Sequence, residues 1–99
     1  MTGPAPLTPS TPGVTVRYWA AAKAAAGVDS DVIPVTGDTT LAAVLSAALD
    51  LHKDRPRLED VMGVCSVLLG DRPVGADDPA GITVKPGDEV QLLPPFAGG

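Results

Sequence analysis

Leu41-Ala42-Ala43-Val44-Leu45-Ser46-Ala47-Ala48-Leu49 is the stretch that decides the architecture. Leu41, Val44, Leu45, Ala48 and Leu49 recur at i, i+3, i+4, i+7 and i+8, which gathers them into one apolar stripe along an α-helix. Asp38, Thr39 and Thr40 stand immediately upstream, each able to cap the free N–H groups of a first turn. Pro56 requires the helix to end before it. One strong helix needs a partner surface for its stripe, and the segments on either side read as strands.

Upstream, Val14-Thr15-Val16-Arg17-Tyr18-Trp19 alternates with period two, so Val14, Val16 and Tyr18 share one face and Thr15, Arg17 and Trp19 the other. Ala20 to Ala26 has strong helix-forming composition, with Gly27 as its stop. Asp31-Val32-Ile33-Pro34-Val35 reads as a second strand, and Pro34, which cannot donate to a ladder, assigns it to a sheet edge or a strand end. Downstream, Lys53 to Asp60 reads as a polar connection. Val64 to Leu69 is an apolar strand, Gly70-Asp71 a turn, and a short strand returns around Val74. Ile82-Thr83-Val84 is a brief extended piece, Lys85-Pro86-Gly87-Asp88 a turn, and Glu89-Val90-Gln91-Leu92-Leu93 a last strand. The order of elements predicts an α+β fold, a single mixed sheet with one main helix packed across it.

Residues 1–13, with Pro4, Pro6, Pro9 and Pro12 among Thr, Ser and Gly, form a Pro-rich lead expected to be disordered. The folded domain is expected over 14–95, and residues 96–99 as a flexible C-terminal tail. A net charge of −5 without any cluster of Lys or Arg argues against nucleic acid as a partner, because that affinity comes from counterion release by basic side chains. No run approaches the ~20 apolar residues of a membrane span, and the N-terminus lacks the pattern of a signal peptide, so a cytoplasmic location is expected.

The chain carries none of the glycine patterns that hold a nucleoside triphosphate or a dinucleotide, so no bound cofactor is expected. His52 and Cys65 are its only histidine and its only cysteine, which excludes a tetrahedral zinc site built from His and Cys within one chain, and no metal is expected. Cys65, inside an apolar run, reads as core packing. His52, at the end of the main helix, reads as a residue whose cationic form suits the helix dipole. Asp29, Asp31, Asp77 and Asp78 read as solvated turn residues.

The chemistry left over lies in Pro94-Pro95-Phe96-Ala97-Gly98-Gly99. The prolines favour an extended conformation that carries the last residues away from the sheet, and four residues beyond Pro95 reach at most roughly 14 Å. Gly98 and Gly99 lack Cβ atoms, so they make the slimmest peptide for threading a channel toward another protein's active site. The group so delivered is the Gly99 carboxylate. Activation as an acyl-adenylate by a separate ATP-using enzyme would let a sulfide equivalent displace AMP, leaving a thiocarboxylate. Around this tail, Val90, Leu92 and Phe96 offer an apolar patch for a partner, with core burial the equal alternative for Val90 and Leu92.

The turn Gly87-Asp88-Glu89-Val90, the ending Pro94-Pro95-Phe96-Ala97-Gly98-Gly99 and the opening Val16-Arg17-Tyr18-Trp19-Ala20 together resemble a family of sulfur carriers. That family holds the small subunit of molybdopterin synthase and the thiamine sulfur carrier. The resemblance implies a ubiquitin-like β-grasp fold. It also implies that Gly99 is adenylated by an E1-like adenylyltransferase, receives sulfur, and enters the active site of the large synthase subunit. There the thiocarboxylate would donate sulfur to a cyclic pyranopterin monophosphate, with catalytic side chains supplied by the large subunit in a heterotetramer. Gly98 would thread the channel, and Pro94, Pro95, Phe96 and Ala97 would contact the partner. The alternatives are a carrier for cysteine, thiamine or tRNA thiolation, and a ubiquitin-like interaction or modifier module, in which Gly99 is joined to lysines or has no chemical role.

Overall fold

A computed structural model describes residues 13–75 and 77–95. The first alternating stretch forms β1 (Gly13–Tyr18), with Val14, Val16 and Tyr18 turned into the core. The chain then makes a short helix α1 (Ala21–Ala26), closed by Gly27 in the left-handed conformation with its N–H on the Lys23 carbonyl. A Cβ at Gly27 would lie 2.7 Å from the Arg55 Cζ, so the guanidinium would have to move aside. Next comes β2 (Ser30–Pro34), antiparallel to β1 and at the sheet edge, where the missing N–H of Pro34 is tolerated.

The main helix α2 (Leu41–Leu51) follows a two-residue strand, β3 (Thr39–Thr40). Leu41, Val44 and Ala48 are buried, as the periodicity requires, with Leu45 and Leu49 packed at the margin. Thr40 is the cap: its Oγ1 accepts the Ala43 N–H at 3.1 Å. Thr40→Ala is expected to lower stability by about 1 kcal/mol, measured by urea unfolding with an unchanged slope. Thr39 and Thr40 also pair with β6 (Thr83–Val84), a small second ladder beyond the single expected sheet.

The polar connection contains a helix that the sequence reading did not foresee, α3 (Arg57–Met62). Leu58 and Met62 are buried in the core and Val61 packs against it, an i, i+3, i+4 set obscured by the charged residues around it. After α3 the apolar run becomes strand only from Ser66, as β4 (Ser66–Leu69). Val64 precedes it and is 63% exposed. A tight turn at Gly70-Asp71 leads to β5 (Arg72–Pro73), and the Val74 N–H extends the pairing to the Val67 carbonyl. A 3₁₀ turn (Pro79–Gly81) precedes β6. The Lys85 to Asp88 turn closes with the Asp88 N–H on the Lys85 carbonyl and Gly87 at φ 95°, which a side chain would disfavour.

The last strand, β7 (Glu89–Leu93), lies between β1 and β4 in a five-stranded sheet ordered β2-β1-β7-β4-β5. It runs parallel to β1 and antiparallel to β4, so the sheet is mixed. Side chains from α1, α2 and α3 join Val14, Val16, Tyr18, Val90 and Leu92 in one core on one face of this sheet. Val90 and Leu92 are fully buried there, so neither belongs to an exposed partner patch. Among the described residues no helix is long and apolar enough to cross a membrane.

Candidate functional site

The base of the tail is built by the two central strands. Because β1 and β7 run parallel, β7 ends beside the end of β1, with Tyr18 opposite Leu92. The Trp19 N–H donates to the Leu92 carbonyl at 3.2 Å, and on the other side Ser66 and Val67 of β4 pair with Leu93 and Leu92. β7 is therefore held from both flanks up to Leu92, and by β4 at its last residue, Leu93. Pro94 follows half-buried and Pro95 exposed. Phe96, Ala97, Gly98 and Gly99 lie outside the described residues, as does the lead up to Pro12.

The face of the sheet opposite the helices carries Arg17, Trp19, Leu68, Glu89, Gln91 and Leu93, the residues that alternate with the buried set. Trp19 remains 42% exposed there, and Val32 on the edge strand 54%. Polar contacts link the strands across this face. The Trp19 Nε1–H donates to Gln91 Oε1 at 3.1 Å, and Gln91 Nε2 donates to the Gly70 carbonyl at 2.8 Å. The Arg17 guanidinium stands 5.3 Å from the Trp19 ring centroid and 3.5 Å from a Glu89 carboxylate oxygen. The Trp19–Gln91 contact joins residues 72 apart in the chain, which no local sequence pattern reveals.

Immediately after Trp19, Ala20 adopts φ 51° and ψ −122°, a conformation that strains any residue with a Cβ. The Ala22 N–H closes this turn on the Trp19 carbonyl. Strain of this kind costs about 1–3 kcal/mol, more than the roughly 0.4–1 kcal/mol of extra unfolded-state freedom that glycine brings. Ala20→Gly is therefore expected to stabilise the domain, raising the thermal midpoint by about 5 °C in scanning calorimetry.

A second polar cluster joins β1, β2 and the end of α2. Asp31 Oδ2 accepts the Tyr18 hydroxyl at 2.8 Å and lies 2.5 Å from His52 Nε2, with the His52 and Tyr18 rings edge to face. Burial, reinforced by the Asp31 carboxylate, pushes the Tyr18 phenol above its ordinary range, so it remains un-ionised and donates. His52 thus cross-links elements through Asp31, and Asp31 is a half-buried acceptor instead of a solvated turn residue. Asp29 is exposed and bonds Lys23, whose ammonium lowers its pKa. Cys65 is half-buried against the core, and burial pushes its thiol up, away from the reactive thiolate. Among the described residues no group of three or more His, Cys, Asp or Glu converges on a point where a metal could sit.

Comparison with known proteins adds to this geometry. The pattern of the ThiS family matches residues 16–99. The "Molybdopterin synthase sulfur carrier subunit" of Chlamydomonas reinhardtii is 29% identical over 86 residues, covering 87% of this chain and 98% of that protein. Among solved structures, SAMP1 from Haloferax volcanii superposes with a TM-score of 0.70 at 26% identity, covering 88% of this chain and 99% of that one. A complex of subunits 1 and 2 of molybdopterin-converting factor from Helicobacter pylori contains a chain with a TM-score of 0.60 at 25% identity. The coverage there is 88% of this chain and 99% of its counterpart. The shared architecture is the ubiquitin-like β-grasp, and with the family pattern matched from Val16 through Gly99, this chain belongs to the ThiS family.

Proposed function

We propose that this chain is a sulfur carrier of molybdopterin synthesis, whose Gly99 carboxylate is converted to a thiocarboxylate and donates its sulfur to a cyclic pyranopterin monophosphate. The observation that carries this reading is the family match through Gly99, on a tail that starts from a strand held on both flanks. A firmly held base and a Pro94-Pro95 lead limit the directions the last residues can take, which favours insertion into another protein's channel. The likeness to the Chlamydomonas carrier subunit supports the pathway.

In the chemistry proposed, the Gly99 carboxylate attacks the α-phosphate of ATP on an E1-like activating enzyme, releasing pyrophosphate. A sulfur nucleophile then displaces AMP. Gly98 leaves room for the channel walls, and Pro94, Pro95, Phe96 and Ala97 contact the receiving protein. This chain supplies the sulfur and the docking surface, while the large synthase subunit supplies the catalytic side chains. The uncovered sheet face around Trp19, Leu68 and Leu93 is the surface on which that subunit docks, a proposal supported by the likeness to one chain of the Helicobacter complex.

The test is incubation with an E1-like activating enzyme, ATP and a sulfur donor, followed by mass analysis of the C-terminal peptide. Replacement of one oxygen by sulfur at Gly99 is the expected result. A Gly99 that remains a carboxylate, with an enzyme proven on its own carrier, would overturn the proposal. A second reading is favoured by the likeness to SAMP1, a small archaeal modifier protein: attachment of Gly99 to lysine amines. It predicts isopeptide-linked conjugates from the same adenylate.

A further inference from the structure

In the helix layer α1 packs against α3, and a groove of about 350 Å³ runs between them, lined by Ala21, Ala24, Ala25, Arg55, Pro56 and Arg57. The three alanines recur at i, i+3 and i+4 on the outer side of α1, while Ala22 and Ala26 enter the core. Their methyl groups make a low, apolar floor. Both arginines are exposed, and they are the groove's only charged lining. The Arg55 guanidinium stands directly over Gly27: its Cζ, Nη2 and Nε lie 2.7, 2.9 and 3.1 Å from the place a Cβ would take, so the bare Cα makes room for it. Arg17 and Lys23 each hold a carboxylate. Among the described residues, neither the Arg55 nor the Arg57 guanidinium has a carboxylate at ion-pair distance or donates a hydrogen bond to the protein.

We propose that this groove is a docking site for a short acidic segment of another protein, with its carboxylates on Arg55 and Arg57 and its backbone against the alanine floor. A guanidinium presents its N–H donors in a planar fork that matches a carboxylate, and such charge-assisted bonds are about twice as strong as neutral ones. The seat of Arg55 on Gly27 reduces the side-chain freedom that pairing would otherwise cost. Charge complementarity sets the sign of the occupant: the chain carries −5 overall, yet the charged lining here is wholly cationic. Charge also sets its length. Asp54 precedes the arginines in sequence, Glu59 and Asp60 follow them, and all three are exposed, so a continuous polyanion such as nucleic acid would meet like charge on either side. A short segment bearing a pair of carboxylates would not. The groove lies in the layer of helices, across the sheet from its uncovered face, so it can be occupied whether or not the tail is engaged.

The test is an NMR titration of the isotope-labelled full chain, at low ionic strength, with the end-blocked peptide Ala-Glu-Ala-Glu-Ala, whose carboxylates share one face when it is extended. Saturable shifts are expected in the backbone amides of residues 21–27 and 55–58, and none from the same peptide with glutamine in place of glutamate. Arg55→Gln and Arg57→Gln should each weaken binding about fivefold. Thermal midpoints of both variants should lie within about 3 °C of the parent, because both side chains are exposed. The absence of saturable shifts, an equal response to the glutamine peptide, or unchanged affinity in both variants would overturn the proposal. Tighter binding of inorganic phosphate or of a single-stranded oligonucleotide than of the peptide would also overturn it, in favour of a free anion or a nucleic acid. So would tighter peptide binding by a chain that ends at Pro95, which would assign the groove to the protein's own C-terminal carboxylate.

Discussion

Deleting Gly99, or adding one residue after it, is expected to cut sulfur transfer by at least about a hundredfold while leaving the fold intact. The reacting carboxylate is the end of the chain, so either change moves it by roughly 3.5 Å along an extended backbone. Misplacing a reacting group by even 1 Å costs about a hundredfold in rate. The fold has no stake in the change. The last ladder pair joins Leu93 to Ser66, and the core contributions of β7 are Val90 and Leu92. Thermal midpoints of both variants should therefore match the parent within about 3 °C. Transfer retained at parental rates would show that the carboxylate of Gly99 is not the sulfur-bearing group.

The largest effect on stability is expected at Leu58, in the helix that the sequence reading treated as a polar connection. Its side chain is fully buried, in a core shared by α1, α2, α3 and the sheet. Leu58→Ala removes that side chain's core packing and leaves a cavity, for an expected loss of about 3 kcal/mol. Small domains carry only about 5–15 kcal/mol in total, so the thermal midpoint should fall by about 15 °C. Transfer per folded molecule should stay at the parental level, because Leu58 is a buried core residue and not part of the reacting segment. A loss under about 1 kcal/mol would mean that α3 is not an integral part of the core.

The missed helix illustrates where sequence patterns become weak. The main helix was legible because its stripe repeats over several turns and Thr40 supplies a cap. α3 is a single short run in which Leu58, Val61 and Met62 are interleaved with Arg57, Glu59 and Asp60, and its helicity depends on the surface it packs against. The alternation in β1 correctly sorted Val14, Val16 and Tyr18 from Thr15, Arg17 and Trp19, since a strand's faces follow from its period alone. The same logic applied to β7 assigns Val90 and Leu92 to the core, which excludes them from the exposed patch. The Trp19–Gln91–Gly70 belt and the Tyr18–Asp31–His52 cluster were not legible in advance. Each depends on strand order and register, which bring together residues far apart in the chain. The tail was read as the reacting part from the chemistry of Gly-Gly after Pro-Pro, and its function remains the proposal to be tested.

The most direct test is dithiolene formation from the cyclic pyranopterin precursor, using this protein prepared chemically as its Gly99 thiocarboxylate and mixed with a purified large synthase subunit. Preparing the charged form this way removes dependence on the activating enzyme. The account predicts product in proportion to the carrier consumed, with the tail returned as the carboxylate. No product from a large subunit proven with its own carrier would contradict the assignment to molybdopterin synthesis, and would direct attention to other sulfur acceptors or to lysine conjugation through the same tail.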